Sequence, residues 1–399
     1  MKRYKVLSML FTALLAAVFS REAGLREVWS RSFLLEADAT EIGSDIKVDN
    51  IKNSLYVTGL KCVKEGANNR GIVAVRKIDL EGNELWKQVC DIGVGGFDET
   101  NAIAVDNNNN VCIAGYRYIE GKGKNPWIRK YDQNGGIIWD KTYENLYDSR
   151  DAGFKEIAVD AEGNIYAAGY KYTDEIKRDL WIRKYDPRGT ELWKDIYCPG
   201  NTLEEQQGLA VDPEGSACVA AYAYGENAEY LLTIKKYDKA GRILLARQYP
   251  EDKLRARSMN KLALDSTGNI YMVGSEQVFY QGRNIFVRKF DAGGLDRWTK
   301  TYTNTGYERY AGNNIMVDRD LQVYVSATGG GGKNDQKYSW LSGLDKEGNE
   351  LWVMNYTGYS YGVKFTVHRS GSIYVLGTET DKNKNSNIWV KKYVQEPKN

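Results

Sequence analysis

The chain has 399 residues, 42% of them hydrophobic, with 40 glycines, 29 tyrosines, ten tryptophans and only six prolines. Its 55 basic and 53 acidic residues leave a formal charge of +2, which gives no electrostatic footprint for a nucleic acid. A single histidine excludes histidine-rich metal centres, and abundant aromatic residues and glycine suit short strands joined by tight turns.

At the start, Lys2, Arg3 and Lys5 precede an apolar run from Val6 to Phe19, and Ser20 puts a small residue before Arg21. This is the pattern of a secretory signal over residues 1–20, too short for a comfortable membrane span. No cysteine follows the run, which argues against a lipoprotein. Removing it takes three positive charges and no negative ones, so +2 becomes −1. The expected location is secreted or periplasmic/cell-envelope, with membrane contact only if the segment stays attached.

After a polar linker, EVWSRSF (27–33) matches only the last strand of a unit that recurs roughly every 53 residues. Trp29 aligns with Trp193 and Phe33 with Tyr197. Full units follow at 45–90, 101–143, 155–197, 207–249, 260–302 and 313–356, and a last one at 363–394 stops before its fourth strand. The copy at 155–197 is the clearest. IAVD (157–160) is a short apolar strand ending in Asp, and AEGN then turns into NIYAAGY (164–170). A variable loop leads to LWIRKYD (180–186), and the turn PRGTE leads to LWKDIY (192–197). Two-residue alternation between glycine turns predicts strands and excludes helices.

The fourth strand carries Trp29, Trp86, Trp139, Trp193, Trp298 and Trp352 as structural blade residues, with Leu245 in the remaining unit. The strand missing from the last unit is the one found at the N-terminus. Both chain ends therefore share one sheet, and stacked sheets bury both their faces. The expected fold is an all-β, seven-bladed β-propeller of four-stranded antiparallel blades. It is one domain over residues 21–399, with its ring closed by residues 26–33 completing the last blade.

The run VD-x-x-GN-x-Y-x-x-GY, then W-[IV]-RKYD-x-x-G-x-x-x-W, resembles the SBBP-type repeats of bacterial and archaeal β-propellers. More distantly it is similar to NHL and quinoprotein-type repeats. The resemblance covers residues 26–399 and implies a propeller, but it implies no shared chemistry.

The chain offers little chemistry. No GxSxG, HExxH or P-loop is present. His368 stands where other units have the turn aspartate, with no ligand cluster beside it. Asp49, Asp106, Asp160, Asp212, Asp265 and Asp318 sit in turns that lack the alternating acids and distal Glu of a calcium loop. Without a haem-attachment CxxCH or an adjacent cysteine pair, a quinone enzyme is not expected. Cys62, Cys90, Cys112, Cys198 and Cys218 form no CxxC; Cys112, Cys218 and Cys90 align with aromatic positions and read as small buried fillers. The basic pairs at 76–77, 129–130, 183–184, 235–236, 288–289 and 391–392 lie in third strands, where alternation sends the two side chains to opposite faces. Acids such as Glu191 and Asp195 are available to neutralise them. No catalytic residue, metal or cofactor is expected.

Variation is concentrated in the loops after the second and fourth strands, which share one face of a propeller. They carry Arg117, Tyr118, Lys171, Tyr172, Tyr222, Tyr224, Tyr307, Arg309, Tyr310, Tyr359 and Tyr361, residue types that anchor interfaces. The expected function is a binding or scaffold protein, a monomer that recognises a protein or glycan through this face and no nucleic acid. The alternative is a lyase, hydrolase or lactonase working at the mouth of the central channel.

Overall fold

The computed structural model describes residues 24–33, 40–65, 68–90, 97–144, 151–173, 178–197, 202–224, 230–251, 255–278, 282–302, 309–331, 336–357, 360–380 and 386–395. The leader at 1–20 lies outside them. The described residues contain no helix and form seven four-stranded antiparallel sheets. Six sheets run in simple chain order. The seventh joins Ser360–Val367, Ile373–Thr380 and Ser386–Gln395 to the N-terminal strand Leu25–Phe33. There Trp29 lies opposite Lys392 and Phe33 opposite Ile388. First strands of successive blades adjoin around an axis, and Ser360–Val367 returns to contact Thr40–Asp49. The chain is a seven-bladed β-propeller closed by its own N-terminus.

Each blade alone would expose two apolar faces. Stacked, they bury clusters such as Phe154 on Trp181, with centroids 5.0 Å apart and planes at 14°. Full burial of one such side chain is worth about 1.5–3 kcal/mol. In six of the seven blades the first turn is held by an aspartate, His368 standing in its place in the last. Asp160 Oδ1 accepts from the amides of Glu162 (3.1 Å) and Asn164 (2.8 Å), while Gly163 takes the positive φ of 81° that the turn requires.

In the first six blades the second turn ties the blade to its predecessor around the ring. The carbonyl of Pro187 accepts from Lys130 Nζ and from Trp139 Nε1, both at 3.2 Å. Lys77 with Trp86, Lys184 with Trp193, and Lys289 with Trp298 do the same to Gln133, Lys239 and Lys346. The indole also lies against the glycine of that turn: a Cβ at Gly189 would stand 3.0 Å from the Trp139 ring.

Every first strand carries one register irregularity, for example between Gly43 and Asp45, Phe154 and Glu156, Met259 and Lys261, or Gly312 and Asn314. Bulges of this kind re-aim the side chains that follow them. Here they deliver those side chains to the axis.

Candidate functional site

The two faces differ in what they leave available. On the tight-turn face, aspartates, lysines and tryptophans are consumed by the turns. On the loop-rich face, second strands of three successive blades end at equivalent tyrosines: Tyr118 of Val111–Ile119, Tyr172 of Ile165–Tyr172, and Tyr224 of Ala217–Tyr224. Tyr118 and Tyr224 are 37% and 41% exposed, and Tyr172 is half-buried. Their cross-strand partners are Lys124, Arg178 and Tyr230. Lys124 Nζ lies 4.5 Å from the Tyr116 ring centroid and the Arg178 guanidinium 5.1 Å from that of Tyr170. Tyr230 stacks on Tyr222 at 5.3 Å. The result is an arc of two exposed rings and one half-buried ring, with cations laid on buried rings beside the first two. The other blades carry Cys62, Gln277, Gly330 and Thr380 at the tyrosine position.

The remaining candidates fall in different places. Arg117 lies 4.8 Å over the Trp127 ring and reaches Asp140 at 3.3 Å and Thr142 at 3.1 Å. Lys171 lies 5.5 Å over Trp181, and burial followed by Arg183 and Lys194 lowers its pKa. Tyr222 is fully buried, and Tyr310 is buried edge-on against Trp340, so neither ring faces solvent. Both serve blade packing, because their strand position points into the interblade core. Tyr307 and Tyr359 lie outside the described residues. Arg309 and Tyr361 are placed by backbone pairing, opposite Gly330 and Thr378.

The basic pairs divide as alternation requires. The first member meets an acid: Arg129 meets Asp140 at 2.6 Å, Arg183 meets Glu191, and Lys235 meets Asp195 of the preceding blade at 2.6 Å. The second covers a tyrosine of its own blade where one stands there, Lys184 Nζ 4.8 Å from Tyr166 and Lys289 Nζ 4.8 Å from Tyr271, while Lys130, beside Cys112, pairs with Asp106 at 2.8 Å. His368 bonds Ser370 (2.7 Å) and Asn53 of the first blade (3.2 Å), and burial first, then Arg369 and Lys392, lowers its pKa. Among the described residues no acidic, histidine and cysteine side chains group to hold a metal. Cys62, Cys90, Cys112 and Cys218 are unpaired thiols, and burial pushes Cys112 and Cys218 up to about 12. Cys198 lies outside the described residues.

A second constellation, which the sequence reading did not single out, occupies the channel. Lys261 Nζ of the fifth blade lies 2.6 Å from Glu156 Oε2 of the third and 4.0 Å from Asp45 Oδ2 of the first. Blades that do not adjoin meet only on the axis. Lys261 passes the fourth blade where Gly208 stands, and a Cβ there would sit 2.7 Å from Leu262 Cβ. Asp45 also accepts from the amides of Ile46 (2.9 Å) and Ile103 (3.2 Å), and Lys364 Nζ donates to the Asn313 carbonyl at 3.0 Å. Burial works against the Lys261 charge, but Glu156 and Asp45 outweigh it and raise its pKa. The available signal was a charge inside an otherwise apolar first strand.

The chain matches no protein-family model and no curated protein, so the likeness to SBBP repeats stays one of motif. Solved structures share the fold. A protein of unknown function from Dyadobacter fermentans superposes with a TM-score of 0.55 at 10% identity, covering 94% of this chain and all of that one. An ulvan lyase, a polysaccharide lyase, gives 0.55 at 10% identity over 90% of this chain and 95% of its own. The β-propeller domain of the Trilobed protease from Pyrococcus furiosus, described as having an open velcro topology, gives 0.50 at 9% identity over 90% and 97%. At these identities the likeness is one of fold.

Proposed function

We propose that this propeller is an exported binding protein whose loop-rich face takes a polysaccharide bearing acidic groups. The observation that carries the reading is the arc of Tyr118, Tyr172 and Tyr224, one ring per blade on three neighbouring blades. Equivalent rings on a repeating frame suit a repeating ligand, and flat aromatic side chains offer contact area at low conformational cost. Arg178 beside the second ring, and Lys124 beside the first, where it also pairs with Asp151 at 3.3 Å, suit carboxylate or sulfate groups on the same polymer. Export rests on the leader pattern at residues 1–20. The ulvan lyase makes a polysaccharide ligand compatible with the fold. The test is an array of neutral and acidic polysaccharides probed with the purified protein. Binding confined to acidic members supports the reading, and binding to none of them removes it.

A second reading, catalysis in the channel, is favoured by Asp45 and Glu156 converging on Lys261. Incubation with any bound polysaccharide separates the two. New chain ends that vanish in Glu156→Gln favour the enzyme, and intact polymer favours binding alone.

A further inference from the structure

The charges on the axis do not balance. Two rings of side chains follow the bulges, because residues two apart on a strand share a face. The first comprises Asp45, Ala102, Glu156, Gly208, Lys261, Asn314 and Lys364. Its two acids and two lysines cancel. The second, two residues further on, comprises Lys47, Ala104, Ala158, Ala210, Ala263, Met316 and Thr366. Lys47 is its one charge. Ala104, Ala158, Ala210 and Ala263 bring no polar group to it, being packed against the interblade cores, and Thr366 is turned to accept from the Val48 amide at 3.2 Å. Asp49, next along the same face, spends its Oδ1 on the amides of Ile51 and Lys52. Lys47 itself makes no hydrogen bond or ion pair among the described residues, yet its surface is not fully covered. Asp45 is the acid that acts most on Lys47, but it already answers Lys261 and two amides, so the Lys47 charge is only partly offset and an anion joining it would complete the offset.

We infer that the channel holds a small oxyanion, of the phosphate or carboxylate class, against Lys47. Lys364 and Lys261 add to the positive field from the neighbouring ring, while Asp45 and Glu156 restrain it so that one negative charge completes neutrality. Burial first, then Lys261, depresses the pKa of Lys47, and Asp45 and Glu156 offset only part of that. Lys364 is lowered in the same way, by burial and then by Lys261. The site lies on the axis, so its occupant is separate from any polymer on the loop-rich face.

The probe is inorganic phosphate, titrated calorimetrically into the purified protein against sodium chloride at matched ionic strength. Saturable binding of one phosphate is expected. In Lys47→Met the affinity should fall about tenfold or more, the worth of one charge-assisted hydrogen bond. Lys47→Gln is the second replacement should the first not fold. Phosphate and chloride acting alike, no saturation, or unchanged affinity in a folded Lys47 variant would each overturn the inference.

Discussion

Trp29, on the first strand of the chain, and Lys392, on the last, donate to the same oxygen, the carbonyl of Leu80 in the first blade, at 3.0 and 3.3 Å. The clamp that joins ordinary neighbouring blades is here assembled from the two chain ends. Closure of the ring thus uses the same device as every other clamped interface.

Trp29→Ala should therefore cost about 3–5 kcal/mol, as other large-to-small changes in packed sites do. Denaturant unfolding monitored by circular dichroism measures it. Deleting residues 26–33 should lower the melting temperature further, and an unchanged value would contradict closure by this strand.

The interface between the sixth and seventh blades lacks the clamp. The seventh blade has no turn between its third and fourth strands, so no carbonyl waits for Trp352, whose indole N–H is buried without a partner among the described residues. The lysine is also gone: Gly343 takes its place, and a Cβ there would stand 2.3 Å from the Trp352 ring. Trp352→Phe should cost less than Trp298→Phe by about 1 kcal/mol, since only the second loses a hydrogen bond. Gly343→Ala should destabilise by about 1–3 kcal/mol through overpacking. Paired urea titrations of the variants check both.

The turn aspartates predict an acid response. At Asp265 burial opposes the charge, but hydrogen bonds from Thr267 and Asn269 outweigh it and hold the carboxyl below its usual range. Asp79 and Asp345 are depressed by the same kind of turn, with burial again opposing and Asn83 or Asn349 prevailing. A folded pKa below the unfolded one, about 3.9, means stabilisation that is present above that pH and lost as pH falls through the folded value. Asp265→Asn should therefore be less stable than wild type near neutrality. The gap in melting temperature should hold down to about pH 5 and narrow as pH falls from there to about 2. A gap independent of pH would contradict the assignment.

Much of this scaffold was legible in the sequence because local chemistry and global topology agree. Asp160, Gly163 and Trp193 each signal their own turn or strand, and the lone strand around Trp29 betrays the closure. Glu191 and Asp195 neutralise the basic pairs, though Asp195 does so across blades, through Lys235. What strand periodicity does not report is which face of a strand end is covered. Tyr222 and Tyr224 look alike in sequence, yet one is core and the other exposed. Each charge of the channel cluster was visible in its own first strand, but not their meeting, since Asp45, Glu156 and Lys261 lie far apart along the chain and meet only once the ring closes.

Under the proposed polysaccharide binding, function lies on the tyrosine arc and not on the repeated scaffold. The most direct test is the affinity for the best acidic polysaccharide of Tyr118→Ala/Tyr172→Ala/Tyr224→Ala, measured beside wild type by biolayer interferometry. Each stacked ring contributes about 0.5–1.5 kcal/mol on the scale of aromatic pairs, so the triple change should weaken binding by roughly tenfold to a thousandfold. The fold should be retained, because Tyr118 and Tyr224 are exposed at strand ends. Unaltered affinity in a folded triple variant would contradict the account.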